Sequence, residues 1–284
     1  MRAETLIEAG DPTVSRMLPS HRDHIGTVEE AHEAAHRLGI DSTFHDNPQH
    51  PPPVDAFSLI VTVGGDGTLL SSSHYVGPNR PLLGINSAPK HSVGFFCAAQ
   101  KGSVYEALSD ALAGKSTSVT LTRMTVEIDG RSVHKRVLNE VLFCHDSPAA
   151  TSRYILRLLD HGGRTIQEEE QKSSGLWIGP ASGSTAAQRS AGGEILPLES
   201  HDIQYVVREP YTPLGEVTRL RAGRVKEGER IVLANKMRQA KLFVDGEHFV
   251  FDVALGECVT LHVSDEPLTV VGASRVGVFA RLSP

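Results

Sequence analysis

Five consecutive residues, Gly64-Gly65-Asp66-Gly67-Thr68, are the strongest candidates for chemistry in this chain. Three glycines let a backbone approach a ligand closely because no Cβ stands in the way. Their N–H groups can point at phosphate oxygens, with the N-terminus of a following helix adding a favourable dipole. A carboxylate at Asp66 would repel phosphate unless it has its own task. Two tasks suit it: ligating Mg2+, or accepting the proton of an attacking hydroxyl. A tight structural turn is the alternative, but an apolar strand before the loop and a helix after it favour phosphoryl transfer. The GxxxxGK[ST] phosphate loop is absent, and the dinucleotide fingerprint fails because the next glycine after Gly67 is Gly77.

Two further segments carry polar groups where apolar ones would be expected. Asn139-Glu140 interrupts the run Val137 to Phe143, so one of the two must face inward and find a hydrogen-bond partner. A glutamate can accept from two vicinal hydroxyls, which suits a ribose; an accident of an edge strand is the competing reading. Residues 183–193, GSTAAQRSAGG, place hydroxyls and small side chains before a short helical stretch. Small residues permit close approach to a flat or extended ligand, whereas a packed helix start capped by Ser184 or Thr185 would explain them without a ligand.

The elements that position these residues follow from periodicity. Residues 27–38 read as a helix with a capping box at Thr27 and Glu30 and an apolar face of Val28, Ala31, Ala35 and Leu38. The prolines of 46–53 mark a loop. Phe57 to Val63 reads as a buried parallel strand ending at the glycines. Thr68 to Tyr75 reads as the next helix, Pro81 to Ile85 as a strand and Val104 to Leu112 as a helix. Alternating strands and helices predict an α/β domain over 1–115. From Ser118 the period becomes two, with a hairpin signal at Asp129-Gly130, and few helices intervene before 264. Residues 116–264 are therefore predicted to form a mainly antiparallel β domain. Residues 268–284, with apolar runs at Leu268 and Val276, are candidates for a return to the first domain.

Bulk composition narrows the classes. The chain has 284 residues, 39% of them hydrophobic and 22% charged, enough for a sizeable core. A net charge of −6 argues against a nucleic-acid sleeve or an anionic membrane surface as partner. No apolar run approaches the roughly 18 residues of a membrane span, and Met1 to Ser20 lacks the apolar stretch of a secretory signal. Cys97, Cys144 and Cys258 are odd in number and widely spaced, which suits buried thiols in a reducing, cytoplasmic setting. Fourteen histidines include the pairs His21/His24 and His32/His36, but no HExxH or other metal spacing, so no protein-held metal site is predicted.

In order and spacing the motifs resemble the NAD kinase family. The residues that carry the likeness are VTVGGDGTLL at 61–70, GIN at 84–86, GFF at 94–96, LNE at 138–140 and GSTAAQRSAGG at 183–193. GGDG alone also occurs in lipid kinases and phosphofructokinases; the added segments make the likeness specific. Ser173 to Trp177, Pro148-Ala149-Ala150, Ser152-Arg153 and Val207 to Pro210 look like the NADH kinase branch. The resemblance implies a Rossmann-like N-terminal domain, a β-rich C-terminal domain, and transfer of a phosphoryl group from ATP to NAD(H) with Mg2+ or another divalent cation. It implies that Asp66 is the proton acceptor for the adenosine 2′-hydroxyl and that Gly64, Gly65, Gly67 and Thr68 handle the ATP phosphates. Phe95 would lie near the adenine, and Asn139 and Glu140 would bind the dinucleotide. Thr185, Ala186 and Ser190 would line the same site. It also implies a homo-oligomer, a dimer or tetramer.

Three positions depart from the family's pattern. Ser174 stands where many members have an aspartate at the nicotinamide end, Ala187 replaces a tyrosine, and Glu247 replaces a glutamine. A neutral Ser174 predicts relaxed selectivity for the cationic NAD+, with NADH used comparably or better. Which base neutralises the phosphates is open among Arg153, Arg164 and Lys172. Two other readings stand beside this one: a lipid or other small-molecule kinase with the same loop, which the acidic chain disfavours, and a dinucleotide-binding regulator without catalysis, which the intact Asp66 disfavours.

Overall fold

The computed structural model describes residues 2–46, 53–215, 217–247 and 249–273. The chain divides into two units, Met1–Thr120 with Leu268–Pro284, and Leu121–Pro267. The run at Val276 lies outside the described residues.

The first unit begins with α1 (Arg2–Glu8) and α2 (Met17–Arg37), followed by β1 (Ile60–Gly64), α3 (Asp66–Ser73), β2 (Leu82–Asn86), β3 (Cys97–Gln100), α4 (Val104–Leu112) and β4 (Ser118–Leu121). β2 is buried along its whole length and pairs in parallel with β1 and β3, as a central strand with an unbroken apolar run should. Ala31 and Ala34 of α2 pack with Leu83 and Ile85 of β2 and with Val104 and Leu108 of α4.

α2 starts ten residues before the predicted helix, with Pro19 in its first turn, where a missing N–H costs nothing. The capping box is therefore not formed. Thr27 lies mid-helix and donates to Asp23 O at 2.8 Å and Ser87 O at 3.2 Å. Glu30 instead accepts from Gly102 N at 2.8 Å and Val104 N at 2.9 Å, placing a carboxylate at the N-terminus of α4, where the helix dipole favours it.

The second unit holds β5 (Met124–Ile128), β6 (Arg131–Val137), β7 (Val141–His145), β8 (Ser152–Leu159), β9 (Thr165–Ser173), β10 (Leu176–Pro180), α5 (Ala187–Ser190), β11 (Ile203–Val207), β12 (Ala222–Val225), β13 (Arg230–Asn235), β14 (Ala240–Val244), β15 (Phe249–Val253) and β16 (Cys258–Val263). They form two six-stranded sheets, β12-β11-β10-β7-β14-β15 and β6-β5-β16-β13-β8-β9, antiparallel at every pairing. One apolar core joins both sheets; Phe143 on β7 meets Tyr154 on β8 edge to face, ring centres 5.4 Å apart. The strand β17 (Leu268–Val271) then belongs to the first unit, parallel to β2 and beside β4.

The alternating stretch from Ser118 to Ile128 is two strands, not one, because β4 and β5 belong to different sheets. Between them the fully buried Arg123 gives its Nε to Glu266 O at 2.5 Å and an Nη2 to Pro267 O at 3.1 Å. The Asp129-Gly130 turn has positive φ at both residues, 48° and 74°, the twist that a two-residue hairpin needs.

Candidate active site

The glycine loop is built by the end of β1 and the start of α3. Gly65 is the N-cap, and Asp66 is the first helical residue, two positions earlier than the sequence suggests. The loop is held by its neighbours: Ser87 N donates to Gly64 O at 3.0 Å. Two of the three glycines serve this internal packing. A Cβ on Gly64 would collide with the Thr68 side chain, and one on Gly65 would lie 2.6 Å from Ser92 Oγ. Only at Gly67 would a Cβ meet open space, so close approach by a ligand explains that glycine best. Asp66 Oδ1 accepts from Phe96 N at 2.9 Å, which fixes the carboxylate; no partner among the described residues takes Oδ2. Phe95, half-buried, sits on the same segment.

Asn139 and Glu140 do not lie within a strand. They form the crossover where the chain leaves β6 in one sheet and enters β7 in the other. Their backbone is gathered by one buried side chain. Asp245 accepts from Leu138 N at 2.8 Å, Asn139 N at 2.7 Å and Glu140 N at 2.9 Å, and Asp245 N donates back to Glu140 O at 2.9 Å. One oxygen of each side chain is left unsatisfied: Asn139 Oδ1 and Glu140 Oε2 are buried with no hydrogen-bond partner among the described residues. Two adjacent orphaned acceptors are costly unless a ligand supplies donors. Burial, then the nearby Asp245 carboxylate, push the Glu140 carboxyl up to about 8. Burial likewise raises Asp245 to about 6, against the pull of its three backbone donors.

Those shifts predict an unusual pH response. A carboxyl raised in the folded state stabilises the fold fully below the usual carboxylate range and loses that contribution as pH rises through its folded value. The ligand-free protein should therefore melt at lower temperature at pH 9 than at pH 5. Glu140→Gln should flatten that slope and add on the order of 2 kcal/mol at pH 9. Thermal melts of both proteins from pH 5 to 9 check this; parallel curves would show that Glu140 is not strained.

The 183–193 segment starts in a 3-10 turn, Ala181–Thr185, and continues into α5. Neither Ser184 nor Thr185 caps a helix. Ser184 Oγ donates to Ala181 O at 2.7 Å, and Ser182 Oγ donates to Leu138 O. The small residues clear space for the protein's own backbone: a Cβ on Gly179 or Gly183 would overlap the Asn139 carbonyl oxygen. Buried Gln188 gives its Nε2 to Asn139 O at 3.4 Å and accepts from Gln204 Nε2 at 3.0 Å. Thr185 and Ala186 are half-buried beside this cluster, and Ser190 is exposed at the end of α5. Gln188 lies within the segment the sequence singled out, whereas Asp245 and Gln204 reach the crossover from distant strands with no local signal for that role.

Ser174 is placed elsewhere, in a cavity of about 300 Å3 lined also by Cys144, His145, Ala150, Arg208 and Glu209. The segments that look like the NADH kinase branch meet here. The neutral Ser174 is not without a carboxylate: its Oγ donates to Glu209 Oε2, which a left-handed φ of 44° turns toward it. Arg208 Nη1 reaches Ser174 O at 3.4 Å. Glu247 is exposed in the β14–β15 turn. Arg164 is engaged by Asp160, with Nε to Oδ2 at 2.9 Å.

Known proteins match this architecture. Residues 26–115 fit the family described as the ATP-NAD kinase N-terminal domain. A probable NADH kinase of Oryza sativa subsp. japonica is 30% identical over 281 residues, covering 93% of this chain and 86% of the relative. An NADH kinase of Arabidopsis thaliana is 31% identical over 78% of this chain and 75% of its own. Among solved structures, an NAD kinase from Archaeoglobus fulgidus in complex with ATP superposes with a TM-score of 0.72 at 22% identity, covering 90% of this chain and 92% of that one. Yeast NADH kinase complexed with NADH gives 0.69 at 18%, over 91% and 82%. Both share the fold. With the glycine loop, the Asn139-Glu140 crossover and near-full-length similarity to two NADH kinases in hand, the chain belongs to the NAD kinase family.

Proposed function

We propose that this enzyme transfers the γ-phosphoryl group of ATP to the adenosine 2′-hydroxyl of NAD(H), giving ADP and NADP(H). The observation that carries the reading is the pair of buried, unpartnered acceptors at Asn139 Oδ1 and Glu140 Oε2. The vicinal hydroxyls of a ribose supply two neighbouring donors for such a pair, and a lipid with a single hydroxyl does not. Asp66 accepts the 2′-hydroxyl proton as the oxygen attacks the γ-phosphorus. Its anchored Oδ1 fixes the carboxylate, and Oδ2 takes the proton. Gly67 and Thr68 admit the phosphates, Phe95 packs by the adenine, and Thr185, Ala186 and Ser190 line the acceptor. Incubation with ATP and NADH, followed by mass analysis and a NADP-dependent dehydrogenase as reporter of the 2′ position, tests this; ADP without a phosphorylated dinucleotide would refute it.

Mg2+ enters in this reading with ATP. No group of three His, Cys, Asp or Glu among the described residues could hold a metal ion. The loop's one carboxylate, Asp66, is given to proton transfer, so the ion would be carried by the substrate phosphates, which with waters ordinarily supply most of the Mg2+ ligands. Bound there, the ion would offset charge developing on the transferred group. Free thiols at Cys97, Cys144 and Cys258 support a reducing, cytoplasmic setting, and the family reading carries a homo-oligomer with it.

Glu209 bears on the redox form of the acceptor. Its carboxylate stands beside Ser174 in a cavity lined also by Asp146, His145 and Arg208, so a carboxylate remains near the nicotinamide end although position 174 is neutral. NADH is used at least comparably to NAD+. Glu209→Gln removes one negative charge from the cavity and should shift the kcat/KM ratio about fivefold further toward NADH, as expected for one partly exposed charge. Measuring kcat/KM for both forms checks it, and an unchanged ratio would remove Glu209 from the acceptor's surroundings.

A further inference from the structure

One peptide bond joins the two residues whose side chains carry the orphaned acceptors, and side chains of the second unit hold both of its poles. Its N–H, on Glu140, goes to Asp245 Oδ1 at 2.9 Å, and its C=O, on Asn139, accepts from Gln188 Nε2 at 3.4 Å. The orientation of that peptide sets where both side chains leave the backbone. Gln188 is fully buried, and its Oε1 accepts from Nε2 of Gln204, also buried, at 3.0 Å. Gln204 cannot turn its amide round. Its Oε1 accepts from Glu194 N at 2.6 Å and its Nε2 donates to Glu194 O at 3.1 Å. A backbone N–H only donates and a backbone C=O only accepts. Gln204 Nε2 must therefore face Gln188, and Gln188 must take that donor on Oε1 and present Nε2 to the Asn139 carbonyl. Two glycines make room for the pair of amides. A Cβ on Gly179 would lie 2.5 Å from Gln188 Nε2, and one on Gly193 would lie 2.9 Å from Gln204 Nε2. The turn that carries Glu194 has ties of its own: Gly193 N donates to Gln188 O at 2.8 Å and Leu196 N to Ser184 Oγ at 3.0 Å.

We propose that Gln204 is a positioning residue for the dinucleotide acceptor: it fixes the polarity of Gln188, and Gln188 fixes the peptide that aims Asn139 Oδ1 and Glu140 Oε2 at the ribose. This role rests on the proposed kinase reaction and deepens it. The two ends of a glutamine amide are alike in shape and opposite in polarity, so packing alone does not choose between them. The bonds from Glu194 make that choice for Gln204, and Gln204 makes it for Gln188. A reversed Gln188 would set its carbonyl oxygen against that of Asn139, and opposed acceptors in a buried site are costly. The relay contains no group of the glycine loop, so it acts on the acceptor and leaves the donor alone.

The test uses the full chain, with NADH as probe in a fluorescence titration and separate KM values for NADH and ATP. Gln204→Met keeps the volume and removes the donor, so nothing decides which end of the Gln188 amide meets Asn139. The dissociation constant and KM for NADH should rise about fivefold, with kcat and the ATP KM within about twofold. In the Gln188→Met background the same substitution should change NADH affinity less than about twofold, because the residue through which it acts is gone. A role confined to the turn around Glu194 would leave the effect undiminished in that background and would overturn the relay. NADH affinity unchanged by Gln204→Met, or equal rises in both KM values, would overturn it too. Should Gln204→Met melt below the assay temperature, Gln188→Met alone carries the test. It must weaken NADH binding about threefold or more with the ATP KM unaltered, and an unchanged affinity refutes the relay. Because the titration needs no turnover, the two readings fail separately. Glutamine-dependent NADH binding without NADP(H) formation removes the kinase reaction and keeps the relay. NADP(H) formation with unaltered NADH affinity in the variants does the reverse.

Discussion

Asp66→Asn is expected to lower kcat at least about 1,000-fold while leaving the KM for NADH within a few-fold of wild type. The amide keeps the Oδ1 that accepts from Phe96 N, so α3 and the loop should hold their places. What it loses is the basicity of the second oxygen, which matters only when a hydroxyl proton must leave. A thermal melt beside the kinetic assay separates the two roles. Turnover near wild type would remove Asp66 as the proton acceptor. A large fall in melting temperature would show that the carboxylate is structural.

Gly183→Ala is expected to cost about 3–5 kcal/mol of stability and to abolish acceptor binding in whatever remains folded. The new Cβ would overlap the Asn139 carbonyl, and that peptide cannot retreat. Asn139 N is tied to Asp245, and its carbonyl oxygen is met by Gly179 and by Gln188 Nε2. A denaturation curve and a dinucleotide titration of the variant check both parts. A stable variant that still binds would mean that the crossover is far more compliant than its hydrogen bonds imply.

What could be read from sequence was what short-range pattern dictates. The strand into Gly64, the α4 helix from Val104 to Leu112, the Asp129-Gly130 hairpin and the change from helical to alternating period near Ser118 all rest on neighbours in the chain. Motif order supplied the family. What escaped depended on residues far apart. Glu30 looked like the end of its own capping box, yet its partners are at 102 and 104. Asn139-Glu140 stands out in sequence as a polar interruption of an apolar run, but the acid that gathers its backbone lies more than a hundred positions later at Asp245. Gly64, Gly65 and Gly183 suggested room for a ligand, whereas the room is taken by Thr68, Ser92 and the Asn139 carbonyl. Ser174 read as an uncharged position because Glu209, which stands on it, is thirty-five residues away. Strand β9 shows no apolar alternation in sequence because it is an edge strand whose Glu-rich face points to solvent, with Glu168 paired to Arg157 and Glu170 to Lys236.

These corrections shift what each candidate residue is for. A Cβ on Gly67 would meet open space, whereas those on Gly64 and Gly65 would meet Thr68 and Ser92. Glu140 is held in a state that destabilises the empty protein and that a bound ribose would relieve. The proposed function would explain a local cost of this kind, and an edge-strand accident would not.

The most direct test of the central claim is an initial-rate assay that crosses NAD+ and NADH as acceptors with ATP as donor and reads NADP(H). The account predicts ATP-dependent formation of NADP(H) from both acceptors, with kcat/KM for NADH equal to or above that for NAD+. ADP release with no NADP(H) from either acceptor would contradict it.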